Sequence, residues 1–296
     1  MFEIQSRQER SFIAKIFLSP DEPRLRAGWR LLIQTLLMFV FGLILGGIAA
    51  LLGLLNLGSI GGQILNFLVI TSSVYVARRW LDRRSFESLG LKLDGQTLLD
   101  IFAGIGITFV QMGFIYVLML GLGWLTFEGF AWEFDPVSVV IGNVITFFIM
   151  FIFVGWNEEL LSRGYHLQTI ASGTNLFWGV VISSSVFGLL HLGNPNATWV
   201  SAAGIFFAGV FLAYGYIRTK QLWLPIGLHI GWNFFEGVVF GFPVSGLDVY
   251  ALMRITVHGP ELWTGGAFGP EAGLVVLPAL ILGAFLIYLY TMRRVT

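Results

Sequence analysis

Apolar stretches long enough to cross a bilayer recur along the whole chain, at about 31–56, 62–78, 97–125, 137–158, 175–192, 198–217, 222–241 and 272–291. Roughly 20 residues of α-helix match the hydrocarbon thickness of a bilayer, so this pattern predicts an all-α integral membrane protein with about eight transmembrane helices. The fourth stretch meets no helix breaker between Phe151 and Ile170, and its helix is expected to continue to about Ile170. Turn chemistry follows at Ala171-Ser172-Gly173-Thr174-Asn175. There is no internal repeat and no low-complexity tract. The simplest organisation is a polar N-terminal arm over 1–30 and one polytopic membrane domain over 31–296.

Composition sharpens this picture. The 296 residues are 56% hydrophobic and only 11% charged, against roughly a quarter charged in soluble domains. Phe (28) and Gly (37) are abundant, as expected where aromatic residues face lipid and small residues let helices approach. No cysteine is present, which excludes disulfides, thiolate metal sites and cysteine nucleophiles. Zero formal net charge gives no global field that would favour nucleic acid as a partner; the partners expected are the lipid bilayer and a membrane-associated protein or peptide. The arm carries Arg7, Arg10, Lys15, Arg24, Arg26 and Arg30 among several acids, too long and too polar for a signal-peptide n-region. It is expected to be cytoplasmic and to lie partly on the membrane surface. With eight spans, every Lys and Arg except Arg163 and Arg254 falls in the arm, at 78–92, at 218–220 or at the C-terminus. The positive-inside rule then predicts a multi-pass protein of the cell membrane with both termini cytoplasmic.

Arg163 is the basic residue left inside a span, and it has polar company. Glu158, Glu159 and Arg163 lie on the fourth span, His191 ends the fifth, and His229, Asn233 and Glu236 lie on the seventh. Ionisable groups at such depth are costly and usually face a bundle interior or a wet cavity. Glu159 and Arg163 are four apart with the acid first, which places them on one helix face as an ion pair. Glu158 points about 100° away and is the carboxylate left for proton chemistry. Measured along helices at 1.5 Å per residue, Glu158, His191 and His229 lie about 18, 24 and 14 Å from the same side, close enough in depth to meet. His229 and Asn233, also four apart, share a face. Such a cluster can hydrolyse an amide: a desolvated carboxylate accepts a proton from water, His191 orients that water, and Asn233 with His229 donates to a tetrahedral oxyanion. The same residues would also serve as interhelical glue.

Glu158-Glu159-Leu160-Leu161-Ser162-Arg163, Phe187-Gly188-Leu189-Leu190-His191 and His229-Ile230-Gly231-Trp232-Asn233 resemble, in order, the EExxxR, FxxxH and HxxxN motifs of the CPBP family, which holds the CAAX prenyl endopeptidases and bacteriocin-processing and immunity relatives. The stretch Leu81-Asp82-Arg83-Arg84 with Leu89-Gly90-Leu91 also looks like that family's cytoplasmic loop. The resemblance implies a glutamate-dependent intramembrane endopeptidase with its protease core at about 137–241, helices enclosing a catalytic cavity, and membrane-associated or lipidated substrates. By that resemblance Glu158 and His191 activate water, His229 and Asn233 hold the oxyanion, and Glu159 and Arg163 support the site. Family members are often labelled metalloproteases. No cofactor is expected here, HExxH being absent, while Glu158, His191 and His229 are the alternative ligand set for a divalent metal such as zinc. The competing functions are a non-catalytic immunity or scaffold protein that kept these residues, and a proton-coupled transporter, although the two related halves common in transporters are missing.

Overall fold

The computed structural model describes residues 11–20, 22–54 and 58–292; Arg7, Arg10, Arg293 and Arg294 lie outside them. Eight apolar helices follow one another: α1 (Ala27–Leu51), α2 (Gly58–Leu81), α3 (Thr97–Gly121), α4 (Val137–Gly173), α5 (Leu176–Leu190), α6 (Trp199–Thr219), α7 (Trp223–Asn233, continued by a π turn over Phe234–Val239) and α8 (Val276–Thr291). The first six, the fifth counted with its 3-10 turn to Gly193, are long and apolar enough to cross a membrane; α7 and α8 are shorter. For α7 the reason is its position. Every residue from Leu224 to Asn233 is buried, so neighbouring helices rather than lipid surround it and bilayer thickness does not dictate its length. The helix expected to run to about Ile170 continues to Gly173, and Asn175 caps α5 by accepting from the Trp178 amide at 3.0 Å.

The chain is all-α save for a small addition. Leu125–Phe130 (β1) pairs antiparallel with Met253–Val257 (β2), with a bulge between Phe127 and Gly129. Leu125 was expected inside the third span; instead α3 stops at Gly121 and the alternating Leu-Thr-Phe-Glu sequence turns into a ribbon. The ribbon joins the α3–α4 and α7–α8 connections on one side of the bundle. Tyr250 and Arg254 both donate to Asp135 there, at 2.9 and 2.8 Å.

The opposite side is organised by Asp82, a fully buried side chain paired with Arg24 (3.5 Å), Arg30 and Arg78 (3.2 Å). Arg30 also reaches Ser172 (2.7 Å) and Arg78 reaches Gln168 (3.3 Å). The α2–α3 loop is thereby clamped onto the N-terminal segment and the end of α4. The Leu222 amide donates to Gly90 O (2.7 Å), and Trp223 Nε1 donates to Lys92 O (2.8 Å). The basic segments around Arg24, Arg78, Lys92 and Arg218 therefore share one side of the bundle. Helix α1 begins at Ala27, a turn earlier than the boundary expected at 31.

Small residues set the depth of the central crossing. A Cβ added at Gly104 would overlap the backbone of Leu228, one at Gly227 the backbone of Ile101, and one at Gly231 Thr108. Helices α3 and α7 touch backbone to backbone, which lets dispersion contacts replace the missing hydrophobic drive between helices in lipid. Polar links finish the bundle: Gln111 donates to Ala279 O (2.8 Å) and Tyr290 to Asp100 (2.8 Å), tying α3 to α8. Overpacking a tight contact typically costs about 1–3 kcal/mol. Gly227→Ala is therefore expected to lower the melting temperature of the detergent-solubilised protein. Gly106→Ala, where a Cβ meets nothing within 4 Å, should melt within a degree or so of wild type; equal melting of the two variants would contradict the close crossing.

Candidate active site

Helix α4 delivers the first carboxylates at a change of geometry. Its α-helical part ends at Glu159 and a π turn runs from Leu160 to Leu167, an irregularity frequent at functional sites. The turn keeps Arg163 over Glu159: Nη1 donates to Oε1 at 2.7 Å. Arg163 is 1% exposed, and a charge at that depth needs every partner it can find. Its Nη2 donates to Gly209 O on α6 at 3.0 Å, and the guanidinium sits 4.4 Å from the centroid of the Phe187 ring on α5. Glu159 Oε1 also accepts from His229 Nδ1 at 2.8 Å. One carboxylate oxygen thus joins α4 to α7.

Phe187 does a second job. Its carbonyl lies 2.8 Å from His191 Nδ1, and because a carbonyl can only accept, that nitrogen carries the proton. In the neutral ring, Nε2 of His191 is then a lone pair. It lies 3.8 Å from Glu158 Oε2, while His229 Nε2 lies 3.6 Å from the same oxygen. Glu158 Oε2 is buried and has no hydrogen-bond partner. Both imidazole separations exceed direct hydrogen bonds, yet they leave room for one water in contact with the oxygen and a ring nitrogen.

These groups open into one cavity of about 420 Å³ lined by Glu158, His191, His229 and Asn233 together. Asn233 makes no hydrogen bond among the described residues, so its amide is available to whatever occupies the cavity. Glu159 and Arg163 stand behind this wall, fully buried, and Glu236 is buried outside the lining. All six residues singled out in the sequence therefore converge, the four proposed for chemistry on the cavity and the two for support behind it. Among the described residues no group of three or more His, Cys, Asp or Glu has metal-holding geometry; Glu158, His191 and His229 do not fit as a ligand set.

Several cavity residues carry no motif signal. Glu271, from the α7–α8 connection, reaches the cavity and accepts from Trp232 Nε1 (3.0 Å) and Ser245 Oγ (2.5 Å). It lies in a 3-10 turn (Pro270–Ala272) outside the eight bundle helices, and burial raises its carboxyl pKa above the ordinary value against the opposing Ser245 hydrogen bond. In the sequence it is one more acid in an outer loop. Asn194 donates to Ser245 O at 3.0 Å, closing the same wall. Asn157 and Gln63, 3.4 Å apart across α4 and α2, line the cavity too; a polar residue next to a paired-acid motif was the available hint for Asn157.

Carboxylates, imidazoles and an amide from a multi-pass helical bundle thus converge on one buried cavity. Residues 140–235 match the family model of the Rce1-like type II CAAX prenyl endopeptidases. Over 78 residues the chain is 36% identical to the Bacillus subtilis (strain 168) protein named "Putative membrane peptidase YdiL". That similarity covers 26% of this chain and 30% of the length of the Bacillus protein. No solved structure matches. The matched segment, residues 140–235, contains Glu158, Glu159, Arg163, His191, His229 and Asn233.

Breaking a buried ion pair by removing one member costs on the order of 3 kcal/mol or more. Glu159→Ala strips Arg163 and His229 of their shared partner and is expected to lower the melting temperature markedly. Glu158→Gln, whose side chain is 33% exposed and unpaired, should melt like wild type. Thermal unfolding in detergent compares the two directly.

Proposed function

We propose that this protein is an intramembrane endopeptidase that hydrolyses a peptide bond of a membrane-associated substrate with water activated by Glu158. The observation that carries the reading is the unpartnered Glu158 Oε2 held between two imidazole nitrogens at 3.6 and 3.8 Å. A water there gives one proton to Glu158 as it attacks the scissile carbonyl, while His191 Nε2 accepts the other hydrogen bond and orients the attacking lone pair. The carbonyl oxygen becomes an oxyanion facing Asn233, whose amide N–H needs no change of protonation to donate. With its Nδ1 hydrogen on Glu159, His229 donates from Nε2 only as an imidazolium. Its oxyanion role therefore carries a protonation requirement that Asn233 does not share. Glu158 then returns its proton to the leaving amine as the C–N bond breaks, and the site is restored. Arg163 and Glu159 act through His229, holding its ring rather than touching substrate. No step passes through a metal.

The family's name supports a prenylated C-terminal peptide as the first substrate to try, and the buried, mostly apolar cavity supports a substrate that arrives from the bilayer. Purified protein in liposomes should cleave a fluorogenic peptide carrying a farnesylated C-terminal CAAX sequence. Loss of a positioned general base typically costs about 10²–10⁴ in rate, so Glu158→Gln should be inactive within detection. Loss of one oxyanion donor costs about 10²–10³, and Asn233→Ala should lower kcat by that factor with little change in KM. Near-normal turnover by Glu158→Gln would refute the mechanism. No cleavage of this peptide, or of an unprenylated membrane-anchored peptide, would favour a scaffold or immunity role.

The orientation we propose places the arginine-rich side and both termini in the cytoplasm. Because the chain lacks cysteine, single replacements report cleanly. Exposed Asp248, near the ribbon, changed to Cys should react with an impermeant thiol reagent in intact cells. Exposed Ser85, beside the arginine cluster, changed to Cys should be protected. The reverse pattern would invert the topology.

A further inference from the structure

A second cavity, of about 640 Å³, lies at the arginine-rich end of the bundle and shares no lining residue with the catalytic one. It sits where α1 begins, beside the α4–α5 turn. One end is polar and cationic, the other apolar.

The cationic end has three components. The first turn of α1 lines it with Ala27 and Gly28, and this 25-residue helix has no side-chain N-cap; its leading amides carry the positive end of the helix dipole. A Cβ at Gly28 would meet nothing within 4 Å, so the space over that turn is open. Second, Arg30 borders the cavity while only 2% exposed, and its Nε has no hydrogen-bond partner although Nη1 and Nη2 are taken by Asp82 and Ser172. Third, among the described residues Arg24, Arg30, Arg78 and Arg84 ion-pair with two carboxylates, Asp82 and Glu22. Arg26, also on the cavity, has its Nε on Leu18 O at 3.2 Å and forms no ion pair among the described residues. Buried donors and guanidiniums around an uncapped helix start are the chemistry that recognises a phosphate.

The apolar end says which phosphate. Leu31 on α1 and Ile182 and Val186 on α5 continue the wall along the helices, and Ile182 is 39% exposed on the outer face of the bundle. A free anion has no use for that surface, whereas an acyl chain does.

We propose that this cavity binds one anionic phospholipid, with its phosphate on the first turn of α1 between Arg26 and Arg30 and an acyl chain along Leu31, Ile182 and Val186. The site is independent of the proteolytic reading and does not need it to hold. The lipid bridges α1, the end of α4 and the middle of α5, beside the point where Gly173 already packs so closely on Ala27 that a Cβ would stand 2.6 Å from the Ala27 side chain.

Native mass spectrometry of the full-length protein in a neutral detergent tests this, with phosphatidylglycerol, phosphatidylcholine or inorganic phosphate added. One phosphatidylglycerol should be retained per chain, about tenfold more tightly than phosphatidylcholine, and millimolar inorganic phosphate should not displace it. Gly28→Phe projects a ring into the space where an added Cβ meets nothing within 4 Å, and Arg26→Gln removes one charge at an exposed position. Each should weaken phosphatidylglycerol retention about tenfold while keeping the wild-type elution volume and helical circular dichroism. Equal retention of the two lipids, displacement by phosphate alone, or wild-type retention by both folded variants would overturn the assignment. Should Gly28→Phe fail to fold, Arg26→Gln decides the matter by itself.

Discussion

A guanidinium inside a helical membrane bundle cannot be left alone, and the rest of this site is arranged around that requirement. Arg163 is satisfied by Glu159 on its own helix, by a carbonyl of α6 and by the face of Phe187 on α5. Glu159 in turn holds His229 on α7. One buried charge thus recruits four helices, and each partner it takes fixes the position of a group that faces the cavity. Separating those helices would strand a charge at a cost of several kcal/mol, which is why the chemistry can sit in a rigid frame.

The frame also explains the division between the adjacent glutamates. Glu159 spends its carboxylate on Arg163 and His229 and is fully buried, whereas Glu158, one residue earlier and a third of a turn away, faces the cavity with an oxygen that nothing satisfies. Two identical side chains acquire different surroundings from helical geometry. The two histidines are likewise distinguished by what holds Nδ1: a carbonyl for His191 and a carboxylate for His229. In each case the second interaction of the ring sets what its other nitrogen can do.

The two sides of the bundle are built differently. The arginine-rich side is locked by Asp82 and by loop-to-helix hydrogen bonds, and it holds the second cavity. The opposite side is a roof made by the ribbon and the long α7–α8 connection, whose Gly246 amide donates to Phe268 O (2.7 Å) while Asn194 reaches Ser245. That connection carries Glu271 into the cavity lined by Glu158 and His229, so the roof contributes to the lining as well as covering it.

The chain's local patterns were legible without the structure: an all-α membrane bundle from run length, the Glu159–Arg163 and His229–Asn233 pairs from spacing of four, and the clustering of basic segments on one side. These are short-range properties, set by helix geometry and by the cost of moving charge into lipid, so sequence by itself determined them. The short α7, the β ribbon replacing the end of the third stretch, Glu271 in the cavity wall and the proton placement on His229 depended on the tertiary structure. Each is a relation between segments far apart in sequence, decided by how closely glycine-lined helices approach and by which carbonyl or carboxylate packing brings to a given atom; no local pattern encodes those distances.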